Sequence, residues 1–155
     1  MKKESKIFID TYLKSLSETE RKKYQSFSSD YFCADEYNAN LCAKLVLDGK
    51  KTATSSLKYW YESDKEPIPK VGHLQVVTTW SGEPICLIEI VLVEECKYCD
   101  VTASFAYCEG EGDRSLKWWQ NAHWDFFIKE CKELNITPSK DMMLVLEKFR
   151  VVYSS

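Results

Sequence analysis

The sequence has no long hydrophobic run. No apolar stretch among its 155 residues approaches the roughly 20 residues that a membrane-spanning helix needs. The charged opening, Met1–Lys6, is not followed by a long apolar segment, so the N-terminus does not have the pattern of a secretory signal peptide. These absences predict a cytoplasmic protein with no membrane partner.

The chain also has no excess of positive charge. Lysine and arginine number 21 against 24 aspartates and glutamates, and the formal net charge is −3. No overall positive field therefore attracts long nucleic acid, and duplex DNA is not an expected partner. Six lysines nevertheless lie between Lys44 and Lys70. Such a locally positive segment in an acidic protein suits a nucleotide or a short single strand better than a duplex.

Paired cysteines and zinc motifs are missing as well. The seven cysteines are odd in number and irregularly spaced, which argues against a disulfide framework in a domain of this length. Cys96 and Cys99 form a single CxxC pair without a second pair or nearby histidines, the usual completion of a structural zinc site. We therefore expect reduced thiols, no metal and no cofactor.

The pattern along the chain predicts one α+β domain covering residues 1–155. Apolar residues at helical spacing near 5–16, and a helix after Asp35, place the N-terminal helices at about 5–48. Strand patterns and a helix capped by Ser115 place a sheet with an inserted helix at about 50–153. Helices followed by strands favour a mainly antiparallel sheet or barrel.

Local signals also predict the ends of individual elements. Ser17 begins a capping box for a short second helix, and Gly49 stands where a helix C-cap glycine belongs. Residues 25–35 are mixed and polar and are predicted as loop, and residues 58–70, with two prolines, are predicted as an exposed excursion. Leu74–Trp80, Ile85–Val93 and Met142–Tyr153 are predicted as strands.

Two segments are hard to explain by structure alone. In Gly49–Ser56 a helix ends, the chain turns, and Lys51 precedes four hydroxyl residues in five positions. In Glu109–Arg114 two glycines free the backbone and three carboxylates cluster beside an arginine. Both segments are therefore candidates for a functional site.

These segments carry a resemblance to a known family. Gly49–Thr54 resembles the signature that opens the ASCH domain, a relative of PUA-like RNA-binding barrels. Phe105–Leu116, followed by Trp118, Trp119 and His123, is similar to a bacterial branch of that family that was long labelled only as a domain of unknown function. The resemblance covers about residues 5–153. It implies a PUA-like, mainly antiparallel β-barrel with flanking helices.

The resemblance also implies an activity. Some small ASCH proteins are amidohydrolases that remove the acyl group from acetylcytidine, and their catalytic residues fall on Lys51, Thr54 and Glu109. Thr54 is then the nucleophile, Lys51 its base and Glu109 a proton relay. A lysine acts as a base only if burial or nearby positive charge lowers its pKa. This chain has Ser55 and Ser56 where those enzymes carry a bulky residue and an arginine.

The expected partner is a modified nucleoside or a short single-stranded RNA. The residues predicted to bind it are Lys50, Ser55, Ser56, Glu111, Arg114, Trp119 and His123. The alternative function is a single-stranded RNA-binding module, or a weak ribonuclease, that uses the same groove. An RNA binder needs an open groove with a basic rim, whereas an amidohydrolase needs its catalytic groups gathered in a small pocket.

Structural roles compete with these functional ones. Lys51 is also typical of a surface lysine at a turn, Thr54 of a strand threonine, and His123 of a core histidine. Asp113 favours the positive N-terminal end of the following helix. Alternatively, Glu109 and Glu111 join Asp113 in holding a divalent cation.

Overall fold

The computed structural model describes residues 1–155 as six α-helices and five β-strands. The helices are α1 (Lys3–Lys14), α2 (Glu18–Arg21), α3 (Glu36–Leu47), α4 (Lys58–Asp64), α5 (Ala103–Glu109) and α6 (Leu116–Glu133). The strands are β1 (Phe27–Asp30), β2 (Ala53–Leu57), β3 (Leu74–Thr78), β4 (Pro84–Lys97) and β5 (Met143–Ser154). The predicted α+β class is confirmed. None of the helices combines the length and apolar character that crossing a membrane requires.

All five strands form one sheet in the order β1-β3-β4-β5-β2. β1 runs parallel to β3, and every other neighbouring pair is antiparallel. The long strands β4 and β5 pair from Cys86–Ser154 at one end to Lys97–Met143 at the other, with two register shifts between. β2 pairs with β5 alone, so β1 and β2 are the two edges of the sheet.

The predicted closed barrel is wrong, because the sheet stays open between β1 and β2. Closure needs backbone hydrogen bonds between these two edge strands. Side chains from both strands instead line a cleft that separates them, among them Asp30 of β1 and Thr54 of β2. The mainly antiparallel character of the sheet is as predicted.

Helix ends with local capping signals are where the sequence places them. Ser17, Asp35 and Ser115 each accept a hydrogen bond from the backbone N–H three residues later, as N-cap residues do. Gly49 follows the end of α3 with a φ of +77°, which is the left-handed conformation expected at this position.

Two predicted loops contain regular elements. Residues 25–35 include β1, which has no alternating pattern and forms because it pairs with β3. Residues 58–70 begin with α4, which buries Tyr61 and ends where Lys65 adopts a left-handed φ of 54°. Tertiary contacts outweigh local preference in both segments.

The largest hydrophobic cluster lies between the sheet and the last two helices. Its eleven buried residues include Leu57 of β2, Leu144 of β5, Phe105 of α5, and Trp119 and Phe127 of α6. This packing brings the C-terminal end of α5 and the inner side of α6 against the start of β2. The two candidate segments therefore meet at this point of the fold.

Candidate functional site

The turn after α3 positions Lys51. Gly49 reverses the chain, and the backbone N–H groups of Lys50 and Lys51 both donate to the carbonyl of Leu45, over 2.9 and 3.0 Å. The next residue, Thr52, donates its N–H to the Cys108 carbonyl over 2.7 Å. The turn is therefore attached both to α3 and to the end of α5.

Gly110 lets the two candidate segments approach each other closely. It has a φ of +74° at the end of α5, and a Cβ at this position would collide with the backbone of Lys50 and Lys51. Only glycine fits both the backbone conformation and the available space. Glu109 and Glu111, on either side of Gly110, are consequently held beside Lys51.

A buried charge cluster results from this approach. The Lys51 ammonium lies 2.9 Å from Glu111 Oε2 and 3.7 Å from Glu109 Oε1. It also contacts the backbone carbonyl of Glu109 at 3.4 Å. Lys51 is 2% exposed and Glu109 is 1% exposed. Lys51 is thus an interior ion-pair residue and not a surface lysine at a turn.

Three further groups surround the Glu109 carboxylate. His123 Nε2 lies 2.9 Å from Glu109 Oε2, and the Trp119 indole N–H donates to the same oxygen. Ser55 Oγ donates from 3.4 Å. The other ring nitrogen of His123, Nδ1, faces the Trp119 carbonyl oxygen at 2.9 Å. Because both ring nitrogens face acceptors, the geometry favours the doubly protonated imidazolium.

The charged groups of this cluster stabilise one another's ionised forms. Burial lowers the pKa of Lys51, but the carboxylates of Glu109 and Glu111 together raise it above its usual value. Burial raises the pKa of Glu109, but Lys51 and His123 hold it below its ordinary range. Burial lowers the pKa of His123, but the hydrogen bond to Glu109 and the negative charge of Glu109 together raise this pKa above its ordinary value. The lowered lysine pKa that a general base requires is therefore not present in the resting cluster.

A cleft of ≈ 700 Å³ opens next to this cluster, between the edge strands β1 and β2. Its lining from the strands consists of Asp30, Thr54, Ser55, Ser56, Gln75 and Glu147. Its lining from helices and loops includes Tyr31, Phe32, Cys33, Trp60, Tyr61, Phe126, Lys129, Glu130 and Glu133. Four carboxylates and several aromatic rings thus face one space that contains a single lysine.

The cluster and the cleft share a few side chains. Ser55 lines the cleft and contacts Glu109. Phe32 also lines the cleft, and its ring centroid lies 5.4 Å from the Lys51 ammonium. Cys33, a third lining residue, has its sulfur 3.8 Å from Glu111 Oε1. The charged groups therefore lie directly behind one wall of the cleft.

The two hydroxyl residues at 54 and 55 have different surroundings. Side chains alternate along a strand, so Thr54 and Ser55 point to opposite faces of β2. Ser55 contacts Glu109, whereas Thr54 lies opposite Glu147 in the β2–β5 pairing. The predicted catalytic residues Lys51 and Glu109 are thus brought together, and Thr54 is placed at the neighbouring cleft.

The predicted binding residues fall into three groups. Ser55 and Ser56 line the cleft, and Glu111, Trp119 and His123 belong to the charge cluster. The other two, Lys50 and Arg114, lie elsewhere. Lys50 is exposed, and Arg114 donates to its carbonyl over 3.3 Å while its guanidinium stacks 3.6 Å above the Tyr107 ring. These contacts give Arg114 a role in holding the two segments together.

Two groups of side chains have donor atoms close enough to hold a metal ion. One is Cys33, Cys42 and Glu111, and the other is Glu109, Glu111 and His123. Asp113 belongs to neither, because it is exposed and accepts the Ser115 backbone N–H over 2.8 Å. The alternative with three carboxylates around a cation therefore does not match the geometry, and Asp113 stabilises the start of α6.

Several residues of the site carry no motif in the sequence. Glu147 lies in the terminal strand together with two other charged residues, Lys148 and Arg150, so nothing in the local sequence distinguishes it. Cys33 and Cys42 come together through the loop before α3, with their sulfurs 2.9 Å apart, and no spacing rule predicts the pair. Trp60 reaches the cleft because α4 forms in a segment predicted as loop.

Comparisons with known proteins show which family and fold the chain is similar to. The family model of the ASCH domain matches residues 28–153. A solved ASCH domain from Lactobacillus crispatus is 57% identical, with a TM-score of 0.96, and the match covers 99% of this chain and 96% of that one. Protein EF3133 from Enterococcus faecalis, assigned to the family DUF984, is 28% identical, with a TM-score of 0.83 and coverage of 98% and 90%. No curated protein is significantly similar in sequence to this chain.

Proposed function

This chain belongs to the ASCH domain family, and from that premise we propose that it hydrolyses the amide bond of an acylated nucleoside. The substrate is acetylcytidine-like, and it binds in the cleft between β1 and β2. Lys51, Thr54 and Glu109 are the working residues of the proposal.

One observation carries this proposal. A buried set of charged groups, Lys51, Glu109 and His123, lies behind a cleft with aromatic walls and reaches it through the hydroxyl of Ser55. Buried ionisable groups beside a concave site are typical of catalytic centres, because desolvation and charge pairing adjust their protonation. A cavity of ≈ 700 Å³ lies within the range of small-molecule sites.

In the proposed reaction, the Thr54 hydroxyl oxygen adds to the acyl carbonyl carbon, and its proton passes through a water molecule in the cleft to a neutral Lys51 amine. The water is needed because Thr54 and Ser55 point to opposite faces of β2, and Ser55 is the one that contacts the cluster. Lys51 has by then given its own proton to Glu109, and Glu109 delivers that proton to the leaving nitrogen as the amide bond breaks. Water then cleaves the ester on Thr54, which releases the carboxylic acid and restores the hydroxyl. Lys51 and Glu109 end the cycle with their starting charges.

The resting charges determine the energetic cost of this relay. The pKa of Lys51 is raised and that of Glu109 is lowered, so the proton rests on Lys51. Moving it to Glu109 converts an ion pair into a neutral pair. The pair is already almost completely removed from water, and such surroundings favour neutral groups over charged ones and so reduce this cost.

Single-stranded RNA binding is the alternative, and the charge of the cleft weighs against it. Phosphate contacts from lysine and arginine supply most of the affinity of such binders. Asp30, Glu130, Glu133 and Glu147 line the cleft, and Lys129 is its one lysine. This surface favours a substrate without phosphate contacts.

The test is hydrolysis of N4-acetylcytidine, followed by chromatographic detection of cytidine. Wild-type protein is expected to release cytidine, and Thr54→Val is expected to reduce the rate by roughly 10²–10⁴-fold. Thr137→Val is the matched control, because Thr137 is an exposed loop residue outside the cleft. Its rate should equal that of wild type.

Ser55→Ala separates two assignments of the nucleophile. Ser55 is the hydroxyl that contacts Glu109, and its removal is expected to cost less than removal of Thr54. A Thr54→Val variant that keeps its activity while Ser55→Ala loses it would move the nucleophile to Ser55. Wild-type protein that hydrolyses no acylated nucleoside, yet binds single-stranded RNA in a salt-sensitive way, would replace the hydrolase with the RNA binder.

A further inference from the structure

Glu147 is a buried carboxylate without a partner. It is 6% exposed, lines the cleft, and makes no hydrogen bond or ion pair with the protein. Its register partner across the sheet is Thr54, so both side chains stand on the same face of neighbouring strands. No fully buried side-chain oxygen of the protein lacks a hydrogen-bond partner, so the oxygens of Glu147 keep contact with the open cleft. A ligand in the cleft is in a position to supply the missing partner.

We propose that Glu147 recognises the substrate by sharing a proton with the edge of an amino-bearing heterocycle that has a ring nitrogen beside an exocyclic N–H. The protonated carboxyl donates its O–H to the ring nitrogen and accepts the exocyclic N–H on its carbonyl oxygen. Cytosine has this edge, and N4-acetylation leaves one N–H in place. The inference rests on the proposed function, since it names the part of the substrate that Glu147 recognises in the same cleft.

Burial makes this protonation accessible. It raises the pKa of Glu147 from 4.5 to about 7, so the carboxyl is available in both forms near neutral pH. The groups that line the cleft around it are acidic, phenolic or thiol with one exception. They are Asp30 of β1, Tyr31 and Cys33 of the following loop, Tyr61 of α4, and Lys129, Glu130 and Glu133 of α6.

The aromatic walls fit a planar ligand. Tyr31, Trp60 and Phe126 line the same cleft as Glu147. Aromatic side chains stack on nucleobases, because every base has a π-face. The acidic lining also repels phosphate, so a nucleoside is expected to bind more tightly than its monophosphate. The ligand class is therefore a phosphate-free cytosine-like nucleoside.

The test measures cytidine binding by calorimetry, since cytidine binding does not depend on turnover. Wild-type affinity should fall as pH rises above about 7, because Glu147 then loses the shared proton. Glu147→Gln keeps a donor and an acceptor in the same places, so its affinity should remain constant from pH 6 to pH 8.5. Glu147→Leu should bind roughly 10- to 100-fold more weakly at pH 6, which is the usual value of a bidentate base contact.

Controls separate Glu147 from its neighbours. Glu130, whose pKa burial also raises to about 7, lines the same cleft, and Glu130→Gln should keep the pH dependence of wild type. N4,N4-dimethylcytidine, which has no N–H, and cytidine monophosphate should both bind more weakly than cytidine. Circular dichroism checks that each variant is folded.

The outcomes distinguish the two proposals. Glu147-dependent cytidine binding without any hydrolysis supports this inference and removes the proposed activity. Hydrolysis of acetylcytidine with unchanged kcat/KM in Glu147→Leu supports the activity and overturns this inference. Equal affinities of wild type and Glu147→Leu for cytidine, tighter binding of the monophosphate, or no cytidine binding at all would also overturn it.

Discussion

Lys51 contributes to stability as well as to the proposed chemistry. Its ammonium is buried between two carboxylates, so its removal leaves Glu109 with an unbalanced interior charge. Breaking a buried ion pair by removing one partner costs about 3–5 kcal/mol. We therefore expect Lys51→Met to lower the free energy of unfolding by an amount in this range, as measured by urea denaturation.

Lys50 is the matched control for this variant. It is the preceding residue, is exposed, and forms no ion pair through its side chain. Lys50→Met should change the free energy of unfolding by less than about 0.5 kcal/mol, as surface substitutions usually do. Equal stability of wild type and Lys51→Met would show that the buried cluster is not ionised. Because Lys51→Met is expected to be less stable, its activity is compared with that of wild type under conditions in which both proteins are folded.

Part of this site could be predicted from the sequence. The juxtaposition of Lys51 and Glu109 follows from a family signature, and the structure places the two groups 3.7 Å apart. The charge state of the lysine does not follow, because it depends on Glu111 and on the degree of burial. Glu147 was missed, since a glutamate within a strand is usually solvent-facing, and its burial depends on a cleft formed by residues distant in sequence.

At the scale of elements, two glycines with the same backbone conformation have different surroundings. Gly49 and Gly110 have φ values of +77° and +74°. A Cβ on Gly49 meets nothing within 4 Å, whereas one on Gly110 collides with the Lys50 carbonyl and the Lys51 Cα. The two positions therefore separate the cost of left-handed backbone from the cost of close packing between α5 and the turn after α3.

We expect Gly49→Ala to destabilise the protein by about 1–2 kcal/mol, the cost of a left-handed alanine. Gly110→Ala should cost more, by about 1–3 kcal/mol for the added overpacking. It should also displace Lys51 from Glu109 and reduce hydrolysis of acetylcytidine. Thermal unfolding and a kinetic assay of both variants check this expectation, and similar effects of the two substitutions would contradict it.

Elements with local signals were predictable and elements without them were not. The caps Ser17, Asp35 and Ser115 bond to backbone groups three residues away, so their effect can be read from short windows. β1 consists of one phenylalanine and three polar residues, and its strand conformation depends on pairing with β3, more than 40 residues away in sequence. No short window contains that information.

At the scale of the whole molecule, the open sheet creates the candidate site. Alternating patterns in β4 and β5 predict strands and a mainly antiparallel arrangement. They do not indicate whether the two edge strands, β1 and β2, pair with each other. The edges remain apart, and acidic and aromatic side chains line the cleft between β1 and β2. The cleft is therefore the same feature of the fold that makes the barrel prediction wrong.

The acidic cleft also shapes the pH dependence of stability. Burial raises the pKa of both Glu147 and Glu130 from 4.5 to about 7. The folded protein thus binds more protons than the unfolded chain between these values, so the free energy of unfolding falls as pH rises from about 4.5 to above 7. His123, whose pKa is raised by Glu109, acts in the same direction above its ordinary value near 6.5.

Glu147→Gln tests this balance, because glutamine keeps the shape of the protonated carboxyl and cannot ionise. At pH 8 the wild-type protein carries the cost of a buried carboxylate, and the variant should be more stable by about 1–3 kcal/mol. At pH 5 the folded wild type is already protonated at this position, so the difference should be much smaller. Glu94→Gln, at an exposed position of β4, should have little effect at either pH. Thermal unfolding of the three proteins at both pH values measures the difference, and a gain that is equal at pH 5 and pH 8 would mean that Glu147 is ionised throughout.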